Sequence, residues 1–266
     1  MTATSGRVVK RFAVDEARSE FQALDNAEGF IFFDNGAGAQ APRTVIERVQ
    51  DHLVSRNVQR GGRYKRSREV DATIAQARES VAILLNARDP NEVCFGMNAT
   101  SFIRIVSMAI SENLGARCEI VVTDMDHEAN IATWMALQPK GFQIRWWRMR
   151  GDGRLHPEDL ETLLSHKTLL VACTVASNAI GSVVDVAEVA KRAHAVGAQL
   201  FLDAVHYGPH GLMDVQAFGC DFLVCSGYKM FAPHMGFLWG RKAALDALPG
   251  LDGLRQKAIG VPVVYQ

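Results

Sequence analysis

The sequence has no long hydrophobic run, no surplus of either charge and no cysteine pattern of the metal-binding kind. Each lack removes a class of protein. No apolar stretch in the 266 residues approaches the ~20 needed to cross a bilayer. The opening residues, Met1 to Arg7, lack the apolar core of a secretory signal. Lysine plus arginine equals aspartate plus glutamate at 29 each, so no overall field attracts nucleic acid or an anionic membrane. Five cysteines (Cys94, Cys118, Cys173, Cys220, Cys225) show no paired spacing, and three lie in apolar runs, as reduced buried thiols do in a cytoplasmic protein. No repeat or low-complexity segment is visible. The expectation is a soluble cytoplasmic protein with neither a nucleic-acid nor a membrane partner. A local basic cluster (Arg60, Arg63, Lys65, Arg66, Arg68) contains glycines and reads as a loop.

What is present is an alternation. At 48% hydrophobic and 22% charged, the chain can bury a large core. Short apolar runs predict strands at 30–33, 92–95, 119–123, 143–147, 168–174, 199–202, 222–225 and 236–239. Amphipathic stretches between them predict helices at 43–56, 70–85, 101–112, 130–137, 157–164, 186–195 and 241–247. Strand–helix–strand order with Val/Ile/Leu-rich strands argues an α/β fold with a mainly parallel sheet between helices. Residues 1–29 read as a polar helical lead-in, 30–249 as the large α/β domain and 250–266 as a tail.

Ligands of open α/β sheets bind beyond the carboxyl ends of the strands. Here strand after strand ends in a residue with chemistry to offer: Asp126-His127 after 119–123, Ser177-Asn178 after 168–174, Asp203 and His206 after 199–202, Ser226 and Lys229 after 222–225. Each alone has an ordinary reading as a cap or turn residue. Four together at one sheet edge are harder to dismiss. The run at 92–95 breaks at Gly96-Met97-Asn98-Ala99-Thr100-Ser101 into a helix, whose free N–H groups and hydroxyls suit an anion. Lys229 is ordinarily read as a surface lysine, but just past a buried strand its pKa can fall, and such amines form Schiff bases with carbonyl compounds.

Taken together, Phe33-Asp34-Asn35-Gly36, Phe95-Gly96-Met97-Asn98-Ala99-Thr100, Asp126-His127-Glu128-Ala129-Asn130, Ala176-Ser177-Asn178, Leu202-Asp203-Ala204-Val205-His206 and Ser226-Gly227-Tyr228-Lys229 resemble the class V aminotransferases. The cysteine desulfurase-like branch is the nearest in pattern. The resemblance implies the type I fold of enzymes dependent on pyridoxal 5′-phosphate (PLP), with a seven-stranded sheet. It implies that Lys229 forms the Schiff base and carries a proton at the substrate Cα. Asp203 would pair with the pyridine nitrogen, as a carboxylate of low pKa. His127 would lie over the ring, Asn178 and His206 near its 3-hydroxyl, and Ala99, Thr100, Ser226 and Tyr228 around the phosphate. Lys229, His127 and Asp203 are the implied catalytic residues, with no metal. Desulfurase, lyase, aminotransferase or epimerase chemistry on an amino acid would follow. A homodimer is also implied, the Arg60–Tyr64 loop being a plausible contributor.

Three departures matter. Tyr228 stands where many relatives have histidine, and His206 where many have glutamine. Family members also usually continue for well over a hundred residues in a small domain, which supplies the carboxylate-binding arginine and, in desulfurases, the sulfur-accepting cysteine. The expectation is that most of that domain is lacking here, and that Cys225 is a buried structural thiol. Two other readings stand beside the PLP enzyme: a protein that keeps the fold without turnover, and a metal enzyme using Asp203, His206, His210 and perhaps His234.

Overall fold

The computed structural model describes residues 12–25, 27–112 and 114–248. The expected tail at 250–266 lies outside the described residues. Seven strands form one sheet in the order β1-β7-β6-β5-β4-β2-β3. They are β1 Val93–Gly96, β2 Glu119–Thr123, β3 Gln143–Trp147, β4 Thr168–Thr174, β5 Gln199–Asp203, β6 Phe222–Ser226 and β7 Gly236–Gly240. The pairs β2–β3, β2–β4, β4–β5 and β5–β6 are parallel, while β7 runs antiparallel to both neighbours. The helices are α1 Val14–Ser19, α2 Gln22–Asp25, α3 Arg43–Ser55, α4 Lys65–Leu84, α5 Ala99–Ser111, α6 Ala129–Met135, α7 Val186–Ala195, α8 Val215–Phe218 and α9 Lys242–Asp246.

The inner strands β4, β5 and β6 read as nearly continuous apolar runs because both faces of the sheet are covered there. Alternation sends Val121, Val171, Cys173, Leu200, Leu202 and Leu223 into one core with the α7 residues Val186, Val189 and Ala193. Ile120, Leu170, Ala172, Phe201, Phe222 and Val224 form the other with Phe102, Ile103, Val106 and Ile110 of α5 and Trp134 of α6. Each large side chain buried in this way stabilises the fold by roughly 1.5–3 kcal/mol.

Three expectations are corrected. The run 30–33 is extended but unpaired, with Phe30, Ile31 and Phe33 at 70%, 71% and 89% exposure. Its chain passes instead into the turn at Asp34 and docks on the lysine loop, where Ala39 N–H donates to the Tyr228 carbonyl at 2.8 Å. Residues Pro157–Thr162 form 3₁₀ turns rather than an α-helix, held to the core through Leu160 alone. Finally, the basic cluster is only half loop: α4 starts at Lys65, just past Gly61-Gly62. Arg66 then pairs with Glu69 at 2.9 Å and Arg60 with Asp71 at 3.3 Å.

Candidate active site

Strand parity decides which side chains reach the site. Phe201 faces the α5 side of the sheet, so Asp203, two residues on, faces the same side at the carboxyl end of β5. Ser226 follows Val224 in the same way on β6. Helix α5 begins there: Asn98 caps it, its side chain accepting from Ser101 N–H at 2.8 Å, and Ala99 N–H donates to Ser226 Oγ at 3.0 Å. This close approach needs Gly236 on β7, where a Cβ would lie 2.7 Å from the Asn98 Cα.

Lys229 ends a single 3₁₀ turn, Gly227–Lys229. Its loop is pinned by Gly227 N–H to the Met235 carbonyl at 2.7 Å and Ala232 N–H to the Gly227 carbonyl at 3.0 Å. A cavity of about 310 Å³, part of it open, lies between these elements. Ala99, Thr100, His127, Asp203, His206, Ser226, Tyr228 and Lys229 wall it, together with Ala129 and Val205. The structure therefore brings eight of the nine expected site residues to one cavity. Asn178 is not on its wall; it sits exposed in the turn after β4.

The electrostatics are those of a partly dry site. Burial is the main cause that lowers the Lys229 pKa, with Asp203 pulling the other way. Its Nζ lies 2.8 Å from His206 Nε2. Burial, and then the Lys229 charge, push His206 down to about 4, so it is neutral at pH 7 and can accept that hydrogen bond. Asp203 accepts from Val205 N–H at 2.9 Å. The low pKa expected of Asp203 is not what the chain's own groups produce. Burial raises it, and the hydrogen bond from Val205 and the charges of His127 and Lys229 pull against that rise. His127 is exposed on the cavity rim, its Nδ1 accepting from Ala129 N–H at 3.1 Å, which orients the ring. Tyr228 stacks on His234 with centroids 4.5 Å apart.

Sequence reasoning missed the support beneath His127. Asp126 is buried; the Thr123 hydroxyl donates to one of its oxygens and Asn130 Nδ2 to the other at 2.6 Å. Asn130 accepts in turn from Trp134 Nε1 at 2.9 Å. Burial pushes Asp126 up to about 7. The spacing of Asp126, Asn130 and Trp134, four residues apart each time, was the available signal. Cys225 is buried beside Met230, and burial pushes its thiol up to about 12, so it has the character of a structural thiol. Among the described residues no three His, Cys, Asp or Glu converge as metal ligands, which leaves the Asp203/His206/His210 reading without geometric support.

Comparison with known proteins gives one consistent answer. The family model described as aminotransferase class-V matches residues 31–256. An aminotransferase-like protein, FGM3, of Gibberella zeae is 36% identical over 248 residues, covering 90% of this chain and 60% of its own length. A probable cysteine desulfurase of Synechocystis is 36% identical over 244 residues, covering 89% and 58%. The solved cysteine desulfurase CsdA of Escherichia coli superposes with a TM-score of 0.80 at 27% identity, covering 90% of this chain and 60% of that one. The chain thus spans about 60% of the length of these relatives.

Proposed function

Because the chain belongs to the aminotransferase class-V family, we propose that it is a PLP-dependent enzyme acting at the Cα or Cβ of an amino acid through a Schiff base to Lys229. Desulfurase, lyase, aminotransferase and epimerase chemistry all fall within this proposal. PLP is the cofactor of the family. The donor set fits it: an amine of lowered pKa, a buried carboxyl with one protein donor, and the start of α5 with the hydroxyls of Thr100 and Ser226 all line one cavity. When bound, PLP supplies a carbonyl that condenses with an amine and a ring that draws electrons from the attached carbon.

The chain's residues do the rest. Lys229, held below the ordinary lysine range, offers more neutral amine for attack and is the group that moves a proton at the substrate Cα. Asp203 holds a proton on the ring nitrogen; a cation brought beside this buried carboxyl lowers its pKa and favours the ionised form. His127, its plane fixed by the Ala129 N–H, orients the ring from the rim. His206 is neutral and takes the 3-hydroxyl side, while Ala99, Thr100, Ser226 and Tyr228 take the phosphate.

The single observation that carries the reading is that Lys229 and Asp203, from neighbouring strand ends, wall one cavity whose other side is the start of α5. Protein incubated with PLP and dialysed is expected to stay yellow, with borohydride fixing the cofactor to the Lys229 peptide. Lys229→Ala should remain colourless. Label on another lysine, or none, would sink the proposal.

A homodimer and a cytoplasmic location belong to the same proposal. Exposed apolar side chains at Phe30, Ile31 and Phe33, near the front of the chain, give the dimer material for a contact. Light scattering should return twice the chain mass; a monomer at working concentration would count against it. The location suits five unpaired cysteines.

A further inference from the structure

Lys229 and His206 also wall a second space. On their other side lies a cleft of about 1090 Å³, including its open mouth, bounded by the lead-in helices and the lysine loop. Its walls carry Phe21, Leu24, Phe32 and Phe231, with Arg18 among the lining residues. We propose that this cleft receives the side chain of the amino-acid substrate, and that this side chain is bulky and apolar, aromatic or branched aliphatic. The proposal rests on the reading of Lys229 as the Schiff-base lysine.

Three observations carry it. The first is connectivity: the amine that would meet the substrate is shared by both spaces, so a substrate on Lys229 has the cleft beside it. The second is the wall. Phe21, from the joint between α1 and α2, meets Phe231, two residues past Lys229, with ring centroids 5.8 Å apart and planes tilted by 56°. A thiol-sized side chain would leave those rings in water, whereas a phenyl or isobutyl group buries them. The third is strain. Phe231 has φ +62°, the left-handed region that a bulky residue rarely enters and glycine enters freely. An aromatic kept there, two positions from the reactive amine, has a use for its ring. Arg18 complements this set: its guanidinium lines the same cleft, whose polar edge is Asn35, Gln40, His206 and His210, and suits the substrate carboxylate beside the apolar wall.

The test uses the PLP-loaded protein, titrated with phenylalanine, leucine, alanine and cysteine while the absorbance band is followed. Phenylalanine and leucine should half-saturate the change at ~10-fold or more lower concentration than alanine and cysteine. Phe231→Gly, which relaxes the strained φ and so keeps the loop foldable, should collapse the phenylalanine-to-alanine ratio toward one. A loaded protein that responds equally to all four, or best to cysteine, overturns the proposal. Calorimetry with 3-phenylpropionate against propionate, on protein as purified, reads the cleft without the cofactor. Tighter binding of the phenyl compound, lost in Phe231→Gly, supports the proposal; equal binding overturns it. If no PLP is taken up at Lys229, the functional reading fails by itself and the calorimetry alone decides for the cleft.

Discussion

Helices α3 and α5 are both thirteen residues long and both amphipathic, yet α5 buries Phe102, Ile103, Val106 and Ile110 while α3 buries no residue at all. Ile46 and Val49 of α3 are each 41% exposed, Leu53 59% and Val54 79%. Helix α5 is the more apolar, with eight apolar residues against five, but α3 still carries a stripe of large apolar side chains that its neighbours leave uncovered. Helix α5 lies on β6 and β7, whose side chains interdigitate with it, whereas among the described residues no strand packs closely against α3. A periodic apolar stripe therefore says that a face seeks cover, without saying what covers it.

The largest effect follows from that contrast. Trp134→Ala, in the α5/α6 core, is expected to cost ~3–5 kcal/mol of stability in urea unfolding. Leu53→Ala should stay within about 0.5 kcal/mol. If Leu53→Ala costs as much as Trp134→Ala at a concentration where the protein is dimeric, and becomes harmless on dilution, the α3 face is covered by a partner, and the contrast belongs to the single chain only.

The same contrast explains what could be read from the sequence. The strands at 119–123 and 168–174 coincide with the observed ones because a run covered on both faces is apolar through its middle, while the edge strand at 143–147 coincides through the alternation of exposed Gln143 and Arg145 with Ile144 and Trp146. The run 30–33 is equally apolar and forms no strand, since hydropathy cannot report whether a sheet edge is within reach. At the site, Asp203, Ser226, His206 and Lys229 were legible because parallel strands deliver their ends to one edge. Asn178 has the same signature and turns outward, because the chain after β4 folds into a turn closed by Gly181 N–H to the Ser177 carbonyl at 3.1 Å. Asp126 was passed over, since an acid beside a histidine looks like a surface residue until its burial is seen.

Charges divide the two regions as sharply as apolar side chains do, and here the expected effect is smaller. In front, Arg60–Asp71 and Arg66–Glu69 are solvated pairs whose removal should change little. Behind, Asp126 is buried with hydrogen bonds and no cation in its first contacts. Its pKa in the folded protein, about 7, lies above the 3.8 of an ordinary aspartate. The folded state therefore binds the extra proton between those values, and stability falls as pH rises from about 4 through about 7, then levels. Each tenfold gain in proton affinity on folding is worth about 1.4 kcal/mol, so a pKa raised from 3.8 to about 7 makes the loss on the order of 4 kcal/mol. Asp126→Asn is isosteric and neutral at every pH; its amide can accept from Asn130 and donate to the Thr123 oxygen. The variant should match the wild type at or below about pH 4 and exceed it increasingly up to about pH 7, so the difference between the two curves isolates this one group. Parallel curves from pH 4 to 8 would mean that Asp126 is ionised in the folded protein, and that the region behind the sheet edge holds a buried charge after all.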